Sequence, residues 1–295
     1  MYTFDSRNEP VAHVAPGDTL VLDVVDAYSG KLTTKAQSKH AEDIPFGNPI
    51  VGPIFVEGAD VGNTLSVFIK DIRPVNGRGV TILSQFTASY LTSIPIFDFM
   101  KVEFPVRTRI CKIENDLVYF SDRIAIPYSP MIGTMGVTPS PVTESISSIL
   151  LPGRHGGNMD IPDMCRQSTV FFPIYQKGAL LYMGDVHAAQ GDGEISGEAI
   201  EMSAEITVEL NVINEKMSWP RIETDEELMS VATTSAGKGL EDAIRTSFMD
   251  LSMLMEQKYD INRFDALVLL SQVGKIRIGN LWTAVAKIEK KYLEH

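Results

Sequence analysis

The sequence of 295 residues has few cysteines, no excess of positive charge and no long apolar run. Its two cysteines, Cys111 and Cys165, lie far apart and form no CxxC pair, which argues against a thiolate metal site and is typical of a reducing compartment. A formal net charge of −12 disfavours nucleic-acid binding, because an acidic surface repels phosphate. No segment approaches the roughly 20 apolar residues of a membrane helix, and no signal peptide opens the chain. We therefore expect a soluble cytoplasmic protein that binds neither nucleic acid nor membranes.

Several motifs of known catalytic chemistry are also missing. The chain contains no Gly-x-Ser-x-Gly nucleophile elbow and no Walker loop. Gly191-Asp-Gly193 is not a dinucleotide fingerprint, because the sequence after it does not predict a helix. Neither cysteine has a neighbour that clearly activates it, although Arg166 follows Cys165. The chemistry that remains is histidine combined with carboxylates, which is the ligand set of Zn²⁺ and related hydrolytic cations.

Short apolar segments separated by Gly, Pro and Asn fill the first 220 residues. The alternation of apolar and polar residues from Ala204 to Val212 is typical of a half-buried strand, and Glu114-Asn-Asp116 predicts a hairpin turn. This pattern predicts a mainly β fold, with a sandwich or barrel-like catalytic body over residues 1–220 that divides into two β subdomains, 1–126 and 144–220, or forms one. The Pro- and Gly-rich residues 127–143 predict a long connection or a lid.

Residues 221–295 have a different composition and predict an α+β region. Thr224 to Glu227 has the form of a capping box that opens a helix, and Asn262 is a second N-cap candidate. Apolar residues from Leu240 to Met255 follow helical spacing, and Lys275 to Ile278 predicts a short strand. The methionine stripe within the helix indicates core or interface packing, and we expect a homo-oligomer, a dimer or larger.

Two polar, glycine-rich stretches concentrate the chemical groups of the chain. The first is Gly184-Asp-Val-His-Ala-Ala-Gln-Gly-Asp-Gly-Glu194, which holds three acids, a histidine and a glutamine in eleven residues. The second is Arg154-His-Gly-Gly-Asn-Met-Asp160. Taken singly, each of these residues is more often structural than functional. Their joint density favours one metal-assisted hydrolytic site built from both stretches.

The spacing of these residues suggests which of them bind a metal. Asp185 and His187 are two positions apart, so they point to the same side of an extended strand. His155 supplies a third candidate ligand, and Asp160 or Asp26 a further carboxylate. Three or four protein ligands leave a position open for water, whose pKa a bound zinc lowers to roughly 7. Zinc is therefore the expected ion, with calcium as a second or alternative ion.

The remaining polar residues have expected roles in proton transfer and substrate binding. Glu194 is the first candidate for general acid or base, and Asp192 the second. The backbone N–H groups of Gly156 and Gly157 can approach a ligand oxygen closely, because glycine has no side chain. The side-chain amides of Asn158 and Gln190 can form hydrogen bonds with a small amide substrate. His13 has no cluster around it, whereas His40 lies near Glu42 and Asp43 and is a weak additional candidate.

The two stretches and their surroundings resemble the acetamidase/formamidase family of amide hydrolases. The matching segments are residues 48–59, His155 to Asp160, Gly184 to Glu194 with Gly197 and Ala199 to Glu201, and Pro220 to Glu223. The resemblance spans essentially the whole chain and implies hydrolysis of a short aliphatic amide to the acid and ammonia. It also implies a β-rich body, a divalent metal and oligomeric assembly. The chain is shorter than some members, whose insertions shape the pocket, so the substrate is less certain than the reaction.

Two other functions fit the same residues. One is a β-sandwich binding module with a structural cation, which all-oxygen coordination of Ca²⁺ would favour. The other is a related hydrolase that acts on a different C–N bond, such as that of a cyclic amide. Identification of the bound ion distinguishes the binding module from an amidase. A panel of substrates distinguishes the hydrolase of another C–N bond from an amidase of linear amides.

Overall fold

The computed structural model describes residues 1–34, 47–83, 107–141, 144–150, 152–234 and 238–293. Within these ranges the chain forms twenty strands and two α-helices, and both helices lie near the C-terminus. The prediction of a mainly β fold with helices in the last part of the chain is confirmed. His40 and most of the predicted loop over residues 31–48 lie outside the described residues.

A ten-stranded sheet carries the residues of interest. Its main path runs β12-β10-β14-β15-β6-β7-β8-β9, while β4 pairs with both β14 and β2. The strand bounds are β2 Ala12–Val14, β4 Ile50–Val56, β6 Arg78–Leu83, β7 Arg107–Glu114, β8 Leu117–Ser121, β9 Ile124–Pro127, β10 Met131–Val137, β12 Gly156–Asn158, β14 Leu181–His187 and β15 Glu201–Met202.

An eight-stranded sheet follows the order β19-β20-β18-β17-β13-β5-β16-β3. Its strands are β3 Thr19–Val24, β5 Thr64–Pro74, β13 Thr169–Pro173, β16 Ala204–Ile213, β17 Arg221–Glu223, β18 Glu227–Thr233, β19 Lys275–Ile278 and β20 Thr283–Glu289. A separate pair joins β1 Thr3–Asp5 to β11 Ser145–Ser147. The eight-stranded sheet takes strands from both sides of residue 220, and the division of the chain into domains there stays a prediction.

One apolar core joins the two large sheets. Strand β16 buries alternate residues, as its sequence predicts: Ala204, Ile206, Val208 and Leu210. The same core includes residues of the ten-stranded sheet, among them Ile54, Met135 and Met183. The predicted hairpin also forms, because β7 and β8 pair on either side of Asn115 and Asp116.

The two helices cover one end of the eight-stranded sheet. Helix α1 runs Leu240–Tyr259 and helix α2 runs Arg263–Val273, followed near the chain end by the 3₁₀ helix Lys290–Tyr292. The Asn262 side chain accepts a hydrogen bond from the Asp265 N–H, which confirms the predicted cap of α2. Apolar side chains from both helices and from β18 and β20 form a second core cluster. None of the described helices is long and apolar enough to cross a membrane.

The prediction of a long connection or lid over residues 127–143 is wrong for Met131–Val137, which form strand β10. Strand β10 lies between β12 and β14, and all seven of its residues are buried. Its glycines resemble loop residues in the sequence but serve close packing. A Cβ on Gly136 would lie 2.5 Å from the carbonyl oxygen of His155. Residues 142 and 143 lie outside the described residues.

The prediction of a helix opening at Thr224 is also wrong. Thr224 Oγ1 accepts hydrogen bonds from the N–H groups of Glu226 and Glu227, as a helix N-cap would. Here the bonds close a turn between β17 and β18, because side-chain capping by threonine serves turns as well as helices. The chain then continues as a buried strand, and α1 begins at Leu240.

A buried ion pair fixes α1 to the sheet. Asp250 accepts hydrogen bonds from Arg221 Nε at 3.1 Å and from Ser230 Oγ at 2.7 Å. Replacement of Asp250 by Ala leaves a buried guanidinium without its partner, so we expect a loss of about 3–5 kcal/mol in the free energy of unfolding. Asp242→Ala on the same helix breaks an exposed pair with Arg245 and should lose under about 1 kcal/mol. Urea unfolding of both variants tests this, and equal losses would contradict it.

Candidate active site

Strand pairing brings the two polar stretches together at one edge of the ten-stranded sheet. Strand β14 ends with Asp185, Val186 and His187, and His187 pairs with Glu201 of β15. On the other side, Thr134 of β10 pairs with both Gly184 and Asn158. Residues more than 60 positions apart in sequence therefore meet at this edge.

Asp160 reaches the same point across β10. The N–H groups of Met159 and Asp160 both donate to the Gly133 carbonyl oxygen. A Cβ on Gly133 would lie 2.7 Å from Asp160 Oδ1 and 2.8 Å from Asp185 Oδ2, so only glycine leaves room for the two carboxylates. Asp160 and Asp185 have φ angles of 50° and 57°, which are uncommon for residues other than glycine. Such strained backbone is typical of functional sites.

Five side chains form two overlapping groups with the geometry of a cation site. Asp160, Asp185 and His187 each offer a ligand atom within 4.8 Å of the others, and so do His187, Glu194 and Glu201. His187 Nε2 lies 3.5 Å from Asp185 Oδ1 and 3.2 Å from Glu201 Oε2. All but Glu194 are buried, and Glu194 is half-buried.

Two oxygen atoms in this cluster are buried without a well-formed hydrogen bond in the described part of the chain. They are Asp160 Oδ1 and Glu201 Oε2, the second of which lies 3.2 Å from His187 Nε2. A buried polar atom that is left unpaired is unfavourable by about 1–3 kcal/mol, so each such atom in a folded protein calls for an explanation. A cation in the cluster would explain both, and the donor set of carboxylates with one imidazole fits zinc.

Neutral side chains hold the acidic cluster in place. Asn48 Nδ2 donates to Asp185 Oδ2 at 2.8 Å, and the Thr134 hydroxyl oxygen lies 3.1 Å from the same carboxylate oxygen. Asn280 Nδ2 donates to Asp160 Oδ2 at 2.9 Å. Gln190 Oε1 lies 2.8 Å from His187 Nδ1, which leaves the Nε2 atom facing Asp185 and Glu201. These contacts orient the ligand candidates as outer partners orient the ligands of known metal sites.

Burial and mutual repulsion shift the pKa values of the cluster. Burial and the charge of Asp185 raise the pKa of Asp160 to about 7. Burial raises the pKa of Glu201 to about 8, against the opposing effect of His187. Burial and the charge of Asp160 also raise the pKa of Glu194 well above its usual range. Burial lowers the pKa of His187, but Glu201 and Asp185 more than offset this and hold it above its usual value. A bound cation would favour the charged carboxylates.

A cavity of about 150 Å³ opens onto the cluster. Its polar lining includes Asn48, Asn158, Asn280 and the acidic residues, and its apolar lining includes Ala27, Ile149, Leu150, Trp282 and the ring of Tyr28. An engineered cavity of about this volume in another protein holds a benzene molecule, so a small amide fits.

Several residues that the sequence nominates lie outside this cluster. His155 belongs to neither group: its buried ring lies in edge contact with Phe4, 5.2 Å away, and its Nε2 atom has no hydrogen-bond partner among the described residues. Asp26 Oδ1 accepts the N–H groups of Tyr28 and Gly30 within a turn. Asp192 is about half exposed and forms an ion pair with Arg277 at 2.8 Å.

The candidate substrate contacts also separate. Asn158 lines the cavity. Gly156 and Gly157 of the same strand are not among the residues that line it, and the Gly156 N–H donates to the Gly153 carbonyl. Gln190 contacts His187 through its oxygen and the Asp160 carbonyl through its nitrogen, so it supports the cluster and does not line the cavity.

Four residues of the site escaped the sequence-based candidates. They are Asn48, Thr134, Glu201 and Asn280. Glu201 is an acid at the start of a short strand that follows the Gly184 to Glu194 stretch, which is a usable signal. Thr134 and Asn280 carry no local signal, because only the pairing of distant segments brings them to the site.

Comparison with known proteins identifies the family of the chain. The sequence profile of the Acetamidase/Formamidase family matches residues 6–149 and 141–236. The chain is similar to the crystal structure of an acetamidase from Yersinia enterocolitica, with 35% sequence identity and a TM-score of 0.90. The match covers 100% of this chain and 90% of the acetamidase. An acetamidase from Bacillus halodurans gives 29% identity, coverage of 99% of this chain and 95% of that chain, and a TM-score of 0.89.

A curated relative adds a second amidase name. The chain is 27% identical over 251 residues to a formamidase from Methylophilus methylotrophus. That match covers 70% of this chain and 62% of the formamidase, so the chain spans less than two thirds of that relative.

Proposed function

The chain belongs to the acetamidase/formamidase family, and from this premise we propose that it hydrolyses a short linear amide to the carboxylic acid and ammonia. Formamide and acetamide are the substrate types in this proposal. The buried group of Asp160, Asp185 and His187 at the end of a cavity of about 150 Å³ is the observation that carries it.

We propose that a divalent cation, zinc before calcium, is held by Asp160, Asp185 and His187, with Glu201 close enough to contribute. The unpaired Asp160 Oδ1 supports this assignment. Both groups contain an imidazole, and such mixed nitrogen and oxygen donors favour zinc, whereas calcium takes oxygen donors. When bound, the cation would supply a nucleophilic water with a pKa of roughly 7.

Hydrolysis forms a bond from a water oxygen to the carbonyl carbon, breaks the C–N bond and needs a proton on the departing nitrogen. In this proposal Glu194 moves that proton. Burial and the charge of Asp160 raise its pKa above the usual range of a glutamate, and it lines the cavity beside His187 and Glu201. Asp192 suits this role less well, because its carboxylate is committed to Arg277.

Asn158 is the proposed contact for the amide itself. Its Oδ1 accepts hydrogen bonds from Thr134 Oγ1 at 2.7 Å and Asn48 Nδ2 at 3.3 Å, which fixes the orientation of its side-chain amide. The Nδ2 donor is then the end of the side chain that suits the substrate carbonyl oxygen, where negative charge develops during attack.

We also propose a cytoplasmic homo-oligomer. Phe264, Leu267 and Val268 of α2 are exposed, Phe264 by 74%, at a spacing that places them on one helix face. Exposed apolar faces of this kind mark interaction surfaces. Sedimentation of the wild-type protein and of a Phe264→Asp variant tests this. We expect the wild type to have the mass of an oligomer and the variant a lower mass, and a monomeric mass for both proteins would contradict the proposal.

Ammonia release from formamide, acetamide and propionamide tests the proposed activity. We expect activity in the protein as purified, loss after chelation and recovery on addition of zinc. The zinc content of the same samples, measured by elemental analysis, should fall and recover together with the activity. No ammonia from any amide at millimolar concentration with metal present would contradict the proposal. Stoichiometric calcium in such an inactive protein would favour a binding module.

A further inference from the structure

The loop between β19 and β20, residues 279–282, lies beyond the last residue that the family profile matches, residue 236. Asn280 and Trp282 of this loop nevertheless line the cavity. Asn280 Nδ2 donates to Asp160 Oδ2 and to the Asn158 carbonyl, at 2.9 and 2.6 Å. The loop is therefore tied directly to the acidic cluster.

Hydrogen bonds also fix the backbone of Trp282. Its N–H donates to Asn280 Oδ1 at 3.1 Å, and its carbonyl accepts the N–H of Thr234 at 2.8 Å. The Asn280 oxygen accepts from Thr283 Oγ1 as well, which prevents the Asn280 amide from turning over without loss of bonds on both sides. One side chain thus holds both a ligand candidate and the wall of the cavity.

The lining of the cavity divides into two chemical sets. One set contains the acids, His187 and the asparagines. The other contains Ala27, Ile149, Leu150, Trp282 and the ring of Tyr28, whose hydroxyl donates to Glu198, and Trp282 has the largest side chain of this set. An aliphatic amide has the same division, because its reacting carbonyl and nitrogen are polar and its acyl chain is not. The apolar set is therefore the place where the acyl chain fits.

We infer that Trp282 sets the upper limit on the acyl chain length of the amide that this chain hydrolyses. This inference rests on the proposed function. A cavity of about 150 Å³ takes acetamide beside the cluster, but a chain of several further methylenes has to displace the indole. Because Asn280 and Thr234 fix the Trp282 backbone on both sides, the Trp282 backbone cannot withdraw from the cavity, and a longer acyl chain fits only if the indole itself rotates away.

The test is the ratio of kcat/KM for hexanamide to kcat/KM for acetamide. In Trp282→Ala this ratio should rise about tenfold or more over wild type, because even one methylene changes the fit to an apolar pocket by about tenfold or more. Trp282→Leu should give a smaller rise. Trp219→Ala is the matched control, because Trp219 is the other tryptophan, is also half-buried and does not line the cavity. Its ratio should equal that of wild type.

Three results would overturn the inference in an active enzyme: equal ratios in wild type and both Trp282 variants, an equal rise in the Trp219 control, or a wild type that accepts hexanamide as readily as acetamide. A general loss of folded protein lowers kcat/KM for both substrates by the same factor and therefore leaves their ratio unchanged. If the wild type releases no ammonia at all, the proposed function fails, and fluorescence decides the role of Trp282. In Trp219→Phe the only indole is Trp282, and saturable quenching by acetamide supports contact, whereas unchanged emission contradicts it.

Discussion

Replacement of His187 by Ala is expected to remove stoichiometric zinc and to lower amide hydrolysis by more than about 100-fold. Loss of an outer partner in a metal site already lowers affinity or activity by about 10–100-fold, and a direct ligand contributes more. His187 is the one residue shared by both candidate ligand groups, so its loss affects the whole cluster. Elemental analysis and an ammonia assay on the same preparation measure both effects.

The matched control is His13→Ala. His13 is exposed, stacks on Phe55 and lies 3.1 Å from Glu57, away from the cluster. It should keep the metal content and rate of wild type. Removal of the buried His187 also affects stability, so thermal unfolding of both variants establishes that folded protein is compared. Full metal occupancy in folded His187→Ala protein would remove His187 as a principal ligand.

Replacement of Glu194 by Gln is expected to lower kcat by about 10²–10⁴-fold, the usual contribution of a positioned general acid or base. The amide keeps the size of the side chain but cannot exchange a proton near neutral pH. In the proposed mechanism Glu194 transfers a proton, and Asp160, Asp185 and His187 hold the metal. The Glu194→Gln variant should therefore still bind metal. Steady-state kinetics with acetamide, together with elemental analysis, separate the two roles.

Asp192→Asn provides the comparison for Glu194. Asp192 lies two residues away in the same loop, but its carboxylate faces Arg277 and about half of it is exposed. Its loss should change kcat little, because exposed ion pairs contribute about 0–1 kcal/mol. A larger loss of kcat in Asp192→Asn than in Glu194→Gln would reverse the assignment. Loss of metal in Glu194→Gln would instead make Glu194 a ligand.

Local sequence pattern predicts much of this fold. Alternation identifies β16, capping chemistry identifies the start of α2, and the turn at Asn115 identifies a hairpin. The two wrong assignments share one cause, which is that the same local chemistry serves two structures. Glycine and proline suggested a connection where β10 needs glycine for close packing. Thr224 caps a turn with the bonds that would begin a helix.

The site residues that are close together in sequence could be predicted, and those that only the fold brings together could not. Asp185, His187 and Glu194 were predicted because they are near one another in sequence. Asn280 was not, because its contact with Asp160 spans 120 residues and depends on the pairing of distant strands. His155 has the residue type of a ligand, but its ring packs against Phe4, and no local pattern encodes that contact.

The most direct measurement of the central claim is the anomalous scattering of zinc in crystals of the purified protein. We predict one principal peak, recorded above but not below the zinc absorption edge, in contact with Asp160 Oδ1, Asp185 and His187 Nε2. A peak at His155, or an ion bound by oxygen atoms alone with His187 uncoordinated, would contradict it. Crystals of active protein without any ion among Asp160, Asp185, His187, Glu194 and Glu201 would contradict it as well.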